Sequence, residues 1–177
     1  MESFYEESIY KADMRTNRLL YGIMLAFVAV SAVFAVLSLI IFTLIFGFFT
    51  GFFTAAVFGI MALVFNVFKD RQIIEYDYVY LEGILTVAKV INNKKRVEII
   101  SVSTDEITAL GRIDDGKFER IKQNAKIINS YLNPDNPLYY CAMQQNGNNT
   151  ILVFEPSFKM LDMISSSNKL LRGYKNG

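Results

Sequence analysis

From Leu19 to Phe68 the chain carries no Asp, Glu, Lys, Arg or His. A bilayer core is about 30 Å thick and takes roughly 20 apolar residues per helix. One helix over the whole run would be roughly 75 Å long at about 1.5 Å per residue, so the run folds back. The pattern predicts two spans, 19–42 and 47–68, joined by a tight turn within Thr43–Gly51. Phe46–Thr54 reads FGFFTGFFT, and Gly47, Gly51, Ala55 and Gly59 recur every four residues. On a helix they form a ridge of small side chains, which lets backbones approach closely in lipid. The first span supplies Ala26, Ala29, Ala32, Ala35 and Ser38 every three residues. That row winds around its helix, so only part of it faces the partner, and rows of three against rows of four favour a shallow left-handed crossing. Packing the two spans of one chain is the preferred use of the ridge; a homo-oligomer is the other. The phenylalanines read as lipid-facing bulk.

Beyond Lys69 the pattern changes to short β-branched and alternating runs. Strands are expected over Ile73–Leu81, Ile84–Ile91, Arg96–Val102, Ile107–Ile113, Lys126–Tyr131, Leu138–Gln144 and Thr150–Glu155. Turn chemistry separates them: Glu82-Gly83, Asn92 to Lys95, Asp114 to Gly116, Asn133 to Pro137, and Asn146 to Asn149. Lys117–Gln123 reads as one helical turn before a strand, with a longer helix over Phe118–Leu132 the alternative. Pro156 suits the first turn of a closing helix, whose apolar stripe is Met160, Leu161, Met163, Ile164 and Leu171. Spacings of roughly 8–12 residues between short strands mark an antiparallel sandwich or barrel. The head places Phe4, Ile9 and Tyr10 among Glu2, Glu6 and Glu7, and is expected to be a loosely ordered interfacial segment.

The domain division is thus 1–18 as a cytoplasmic N-terminal segment, 19–68 as a membrane hairpin and 69–177 as a cytoplasmic soluble domain. Orientation comes from the flanks. Lys11, Arg15 and Arg18 precede the first span, Lys69 and Arg71 follow the second, and the loop between carries no charge. By the positive-inside rule both termini are cytoplasmic, in a two-span protein of the cell membrane. The apolar run is too long for the core of a cleaved signal and is followed by a second span. Charged residues inside spans mark ion paths and proton relays, and none lies here, so a channel or pump is not expected.

Composition narrows the chemistry further. The tail from Lys69 carries 15 basic and 13 acidic side chains, too balanced for a nucleic-acid-binding surface. There is no histidine, the commonest general base and metal ligand. No phosphate-cradling glycine motif is present. Cys141 lies in the apolar stretch YYCAM and reads as a small core residue rather than a nucleophile. Asp105, Glu106, Asp114 and Asp115 are read as turn residues. No catalytic residue, cofactor or metal site is expected. Lys94, Lys95 and Arg96 form the only basic cluster, whose alternatives are a headgroup or partner contact and a solvated turn.

Seven strands closed by one helix resemble the pleckstrin-homology-like (PH-like) fold, a bent barrel of antiparallel strands capped by its last helix. The stretch Ile151-Leu152-Val153-Phe154-Glu155-Pro156, followed by Met160-Leu161, resembles the end of bacterial PH-like domains found behind paired transmembrane segments. The layout is similar to an uncharacterised family of small two-span bacterial proteins. That resemblance implies a membrane hairpin with a mainly β soluble domain and brings no catalytic residues. Phosphoinositide-binding PH domains carry basic residues at the first hairpin loop, whereas Leu81 to Ile84 is tight and acidic. The function expected is a non-enzymatic binding or scaffolding module anchored in the bilayer, with a protein partner or second copy. The alternative is a sensor holding a lipid or small ligand inside the barrel.

Overall fold

The computed structural model describes residues 4–145, 147–168 and 171, in two compact units: Asp13–Ile74, and a second built from Met1–Ala12 together with Glu75–Gly177. The second unit is discontinuous because its first strand precedes the apolar run.

The first unit is a helical hairpin, α1 (Arg15–Phe46) and α2 (Phe48–Asp70). Both helices are long and apolar enough to cross a membrane. Only Gly47 separates them, at φ 92°, a left-handed conformation that glycine adopts without a Cβ penalty. The contact seam on α1 runs through Met24, Val28, Ser31, Ala35 and Ser38, and on α2 through Gly51, Ala55, Phe58, Ala62, Phe65 and Lys69. Alternating steps of three and four give the 3.5-residue period of a left-handed seam. Phe27 stacks on Phe65 at 5.1 Å and Phe34 on Phe58 at 5.5 Å.

At the open end Lys69 is 6 % exposed. It pairs with Asp70 at 3.3 Å and lies 5.7 Å from the Tyr21 ring centre. Asn17 Nδ2 donates to the Gln72 carbonyl at 2.8 Å. From the Tyr21–Lys69 level to the turn the two helices rise roughly 39 and 33 Å at about 1.5 Å per residue, enough for a core of about 30 Å.

The second unit has two four-stranded sheets. The first is ordered β1-β2-β3-β4, with β1 (Phe4–Tyr10), β2 (Ile74–Leu81), β3 (Ile84–Ile91) and β4 (Lys95–Ser103). The other is ordered β5-β7-β8-β6, with β5 (Ile107–Arg112), β6 (Lys126–Ser130), β7 (Tyr139–Gln145) and β8 (Asn148–Phe154). Pairing is antiparallel except for β6 against β8, which is parallel. Glu82 and Gly83 both have positive φ, 48° and 85°, the geometry of a two-residue hairpin turn whose twist matches its strands. Asn92 and Asn93 do the same at 48° and 51°, which asparagine tolerates best among residues with a Cβ.

The core lies between the sheets. Tyr76, Tyr78 and Tyr80 alternate inward from β2, and Leu85, Ile107, Met143, Leu152 and Phe154 are buried with them. Tyr78 stands edge-on to Phe154 at 5.6 Å. Its hydroxyl donates to the Ser130 carbonyl and accepts from the Glu155 amide at 3.3 Å. Helix α4 (Phe158–Ser167) closes this core with Met160, Leu161, Met163 and Ile164. Its start is capped by Ser157 Oγ, which accepts from the Met160 amide, while the Ser157 amide donates to Glu7 Oε1 at 2.9 Å. At its far end Asn168 Nδ2 donates to the carbonyls of Thr104 at 2.7 Å and Ile107 at 2.8 Å.

Several expectations change. The head is no loose interfacial segment: Phe4–Tyr10 pairs along the whole of β2, with Tyr5 opposite Tyr80 and Tyr10 opposite Glu75. Glu2 lies outside the described residues. Among the described residues eight strands replace about seven, and one of them pairs in parallel. The ridge is not continuous. Gly47 makes the turn and Gly59 has open space where a Cβ would be, while Ala55 lies in the seam and Gly51 at a close approach, where a Cβ would be 2.7 Å from the Thr43 amide. Of the alanine row Ala35 and Ser38 join the seam, in keeping with a row that winds around its helix. Pro156 precedes the Ser157 cap, and Leu171 follows the helix in a turn. Asn146 of the β7–β8 turn lies outside the described residues.

Candidate functional site

The second sheet has two covered faces. One is the core; on the other, Leu138, Tyr140, Ala142, Ile151 and Val153 pack under Phe118 and Ile121 of the short helix α3 (Gly116–Ile121). Asp115 caps α3, its Oδ1 accepting from the Lys117 amide at 3.3 Å. Between α3 and β5 opens a cleft of about 330 Å³, bordered by Thr108, Leu110, Lys117, Arg120, Tyr140 and Leu171. Among the described residues β5 pairs with β7 alone as a strand, so beyond the Ile107 carbonyl held by Asn168 its other side is a free edge along this cleft.

Tyr140 reaches the cleft because the residue opposite it on β5 is glycine. A Cβ at Gly111 would lie 2.9 Å from the ring and 3.0 Å from the hydroxyl, so the ring leans over β5 where any side chain would block it. The ring also touches Phe118 at 5.3 Å. Tyr140 is 1 % exposed, and its hydroxyl has no hydrogen-bond partner among the described residues. Burial pushes the phenol above its ordinary range, with the charges of Asp115 and Cys141 adding to the shift; it stays a protonated donor. Lys117 and Arg120 are exposed and lie in no ion pair among the described residues. Glu119, by contrast, is engaged with Lys122 at 2.6 Å, and Asp114 with Arg112 at 2.7 Å.

A family model described as Bacterial PH-like domain (DUF6106) matches residues 1–170. The chain belongs to this bacterial PH-like domain family. The match takes in the head strand and the apolar hairpin together with the sheets. No curated protein and no solved structure matches the chain.

The order of elements in this PH-like domain relocates its first loop. Leu81 to Ile84 joins the second and third strands; the connection between the first two is the helical hairpin itself. The flanking cations therefore belong to that connection: Lys11, Arg15, Arg18 and Arg71 are exposed, while Lys69 is buried. Lys95 and Arg96 belong to β4 rather than to the turn. Arg96 is engaged within the sheet, 3.4 Å from Asp77 and 3.7 Å from Glu6. Lys94 is exposed at the β3–β4 turn. Cys141 is completely buried and its thiol pKa is raised by that burial. No three His, Cys, Asp or Glu side chains come together as a metal set among the described residues. Sequence reading passed over Lys117, Arg120 and Tyr140, since a tyrosine distant in the chain joins the two cations only through the strand pairing of Gly111 with Tyr140.

Proposed function

We propose that this protein is a non-enzymatic binding module whose PH-like domain is held at the cytoplasmic face of the cell membrane by the α1–α2 hairpin, where it binds another protein. The observation that carries the reading is β5, a strand paired on one side only among the described residues and bordering an open cleft. Free strand edges take extended segments of other chains through main-chain hydrogen bonds. Two features support anchoring: the length and apolarity of both helices, and the charge-free turn opposite flanks bearing Lys11, Arg15, Arg18, Lys69 and Arg71. The chain's lack of histidine and the sealed thiol of Cys141 support a binding rather than a catalytic role. The interior, filled by Tyr78, Leu85, Ile107, Leu152 and Phe154, favours a surface site over a ligand held inside the barrel.

A photo-crosslinking residue at Thr108, in the full chain in its own membranes, tests this. A single protein adduct from Thr108, absent when the probe replaces exposed Phe158, is the expected result. No adduct from any position around the β5 edge would overturn the reading.

A further inference from the structure

The chemistry of the cleft says what kind of chain it takes. Resting on the binding-module reading, we propose that the occupant is an extended acidic segment of a partner protein. It adds as a strand to the free edge of β5 and places one carboxylate between Lys117, Arg120 and the hydroxyl of Tyr140.

Three observations converge on that carboxylate. Lys117 and Arg120 stand one helical turn apart on α3 and border the same cleft, so both cations reach one anionic group. The nearby carboxylates Glu119 and Asp114 are bound to Lys122 and Arg112, and Asp115 caps its helix; the two cleft cations are left without a counter-charge among the described residues. The third is Tyr140. Its ring is buried, yet the residue lines the cleft, so its hydroxyl is a hydrogen-bond donor at the cleft with no partner among the described residues. Its ring is held over Gly111, which puts the unpartnered donor over β5, beside the two cations.

The backbone supplies the other half. A free phosphate or a lipid headgroup would satisfy the cations and the phenol but leave the β5 edge unpaired. An extended peptide satisfies both, and its alternating side chains put every second residue toward the same face. A lone acidic side chain would be bound weakly; the same side chain on a strand is aligned by main-chain bonds.

The test uses the full chain in lipid nanodiscs and a fluorescent peptide of alternating valine and glutamate. Binding is expected to weaken as salt is raised and to fall at least about tenfold in a Lys117→Glu/Arg120→Glu variant. Tyr140→Phe keeps the ring over Gly111 and is expected to weaken binding about threefold to tenfold. N-methylating alternate peptide amides on the pairing side should abolish binding, while leaving the peptide's charge unchanged. Three results would overturn the proposal: no binding of the acidic peptide, equal binding of a valine–lysine peptide, or competition by inorganic phosphate or by anionic vesicles as effective as the peptide. A Thr108 adduct that survives the charge-reversal variant would leave the binding-module reading standing and remove the acidic-segment proposal alone.

Discussion

Single side chains fix the places where this chain has no latitude. Glu75 lies on the outer face of β2 at 7 % exposure, opposite Tyr10 and two residues from Asp77. Asp77 has partners in Ser8 at 2.7 Å and Arg96. Burial raises the Glu75 carboxyl above its ordinary 4.5, and the charge of Asp77 raises it further. The folded state therefore holds this proton more tightly than the unfolded chain does. Ionised Glu75 costs stability, a cost absent below the ordinary value and growing as pH rises through the folded one. Glu75→Gln is expected to raise the Tm at about pH 8 and to give no gain at about pH 4, measured by thermal unfolding of the full chain in detergent. An equal gain at both would show that the carboxylate is not disfavoured.

At the scale of elements, what was legible in the sequence followed local chemistry. The seven strands after the hairpin fall within two residues of their expected ends, because turns such as Glu82-Gly83 and Asn92-Asn93 punctuate an alternating pattern. β1 was not legible. Its partner lies across the whole apolar run, and a seven-residue segment with two glutamates reads as polar until Tyr5, Glu7 and Ile9 are seen opposite Tyr80, Tyr78 and Tyr76. The candidate site was hidden for the same reason, its parts joined by pairing rather than by spacing. The end of β1 is fastened by Asn133, whose Nδ2 donates to the Tyr10 carbonyl at 2.9 Å and whose Oδ1 accepts from the Ala12 amide at 2.6 Å. Glu155, 6 % exposed, accepts in turn from the Leu132 amide and from Asn133 and Asn136 side chains. Asn133→Ala is expected to cost about 1–3 kcal/mol and to speed hydrogen exchange in β1 ahead of β3. Unchanged β1 protection would show that strand pairing alone holds it.

For the whole molecule, the pairing of Tyr10 with Glu75 means that the chain leaves the PH-like domain and returns to it at neighbouring points. Such a connection suits two antiparallel spans and no odd number of crossings. On the proposed topology Lys95→Cys faces the cytoplasm and Phe49→Cys the opposite side. An impermeant thiol reagent applied to intact cells should label Phe49→Cys and spare Lys95→Cys, and buried Cys141 should stay silent in both. Labelling of Lys95→Cys from outside would reverse the orientation.

The interrupted strand pair has a consequence for biogenesis. β1 leaves the ribosome first, but its partner β2 is made only after both helices. The sheet cannot close until the hairpin has turned back and delivered β2 to the side where β1 waits. A chain whose second helix fails to return would leave Tyr76, Tyr78 and Tyr80 without the strand that flanks them. On the proposed topology, completion of the sheet therefore depends on the second helix returning to the side of the first, and its failure would leave the β1 side of β2 an open edge.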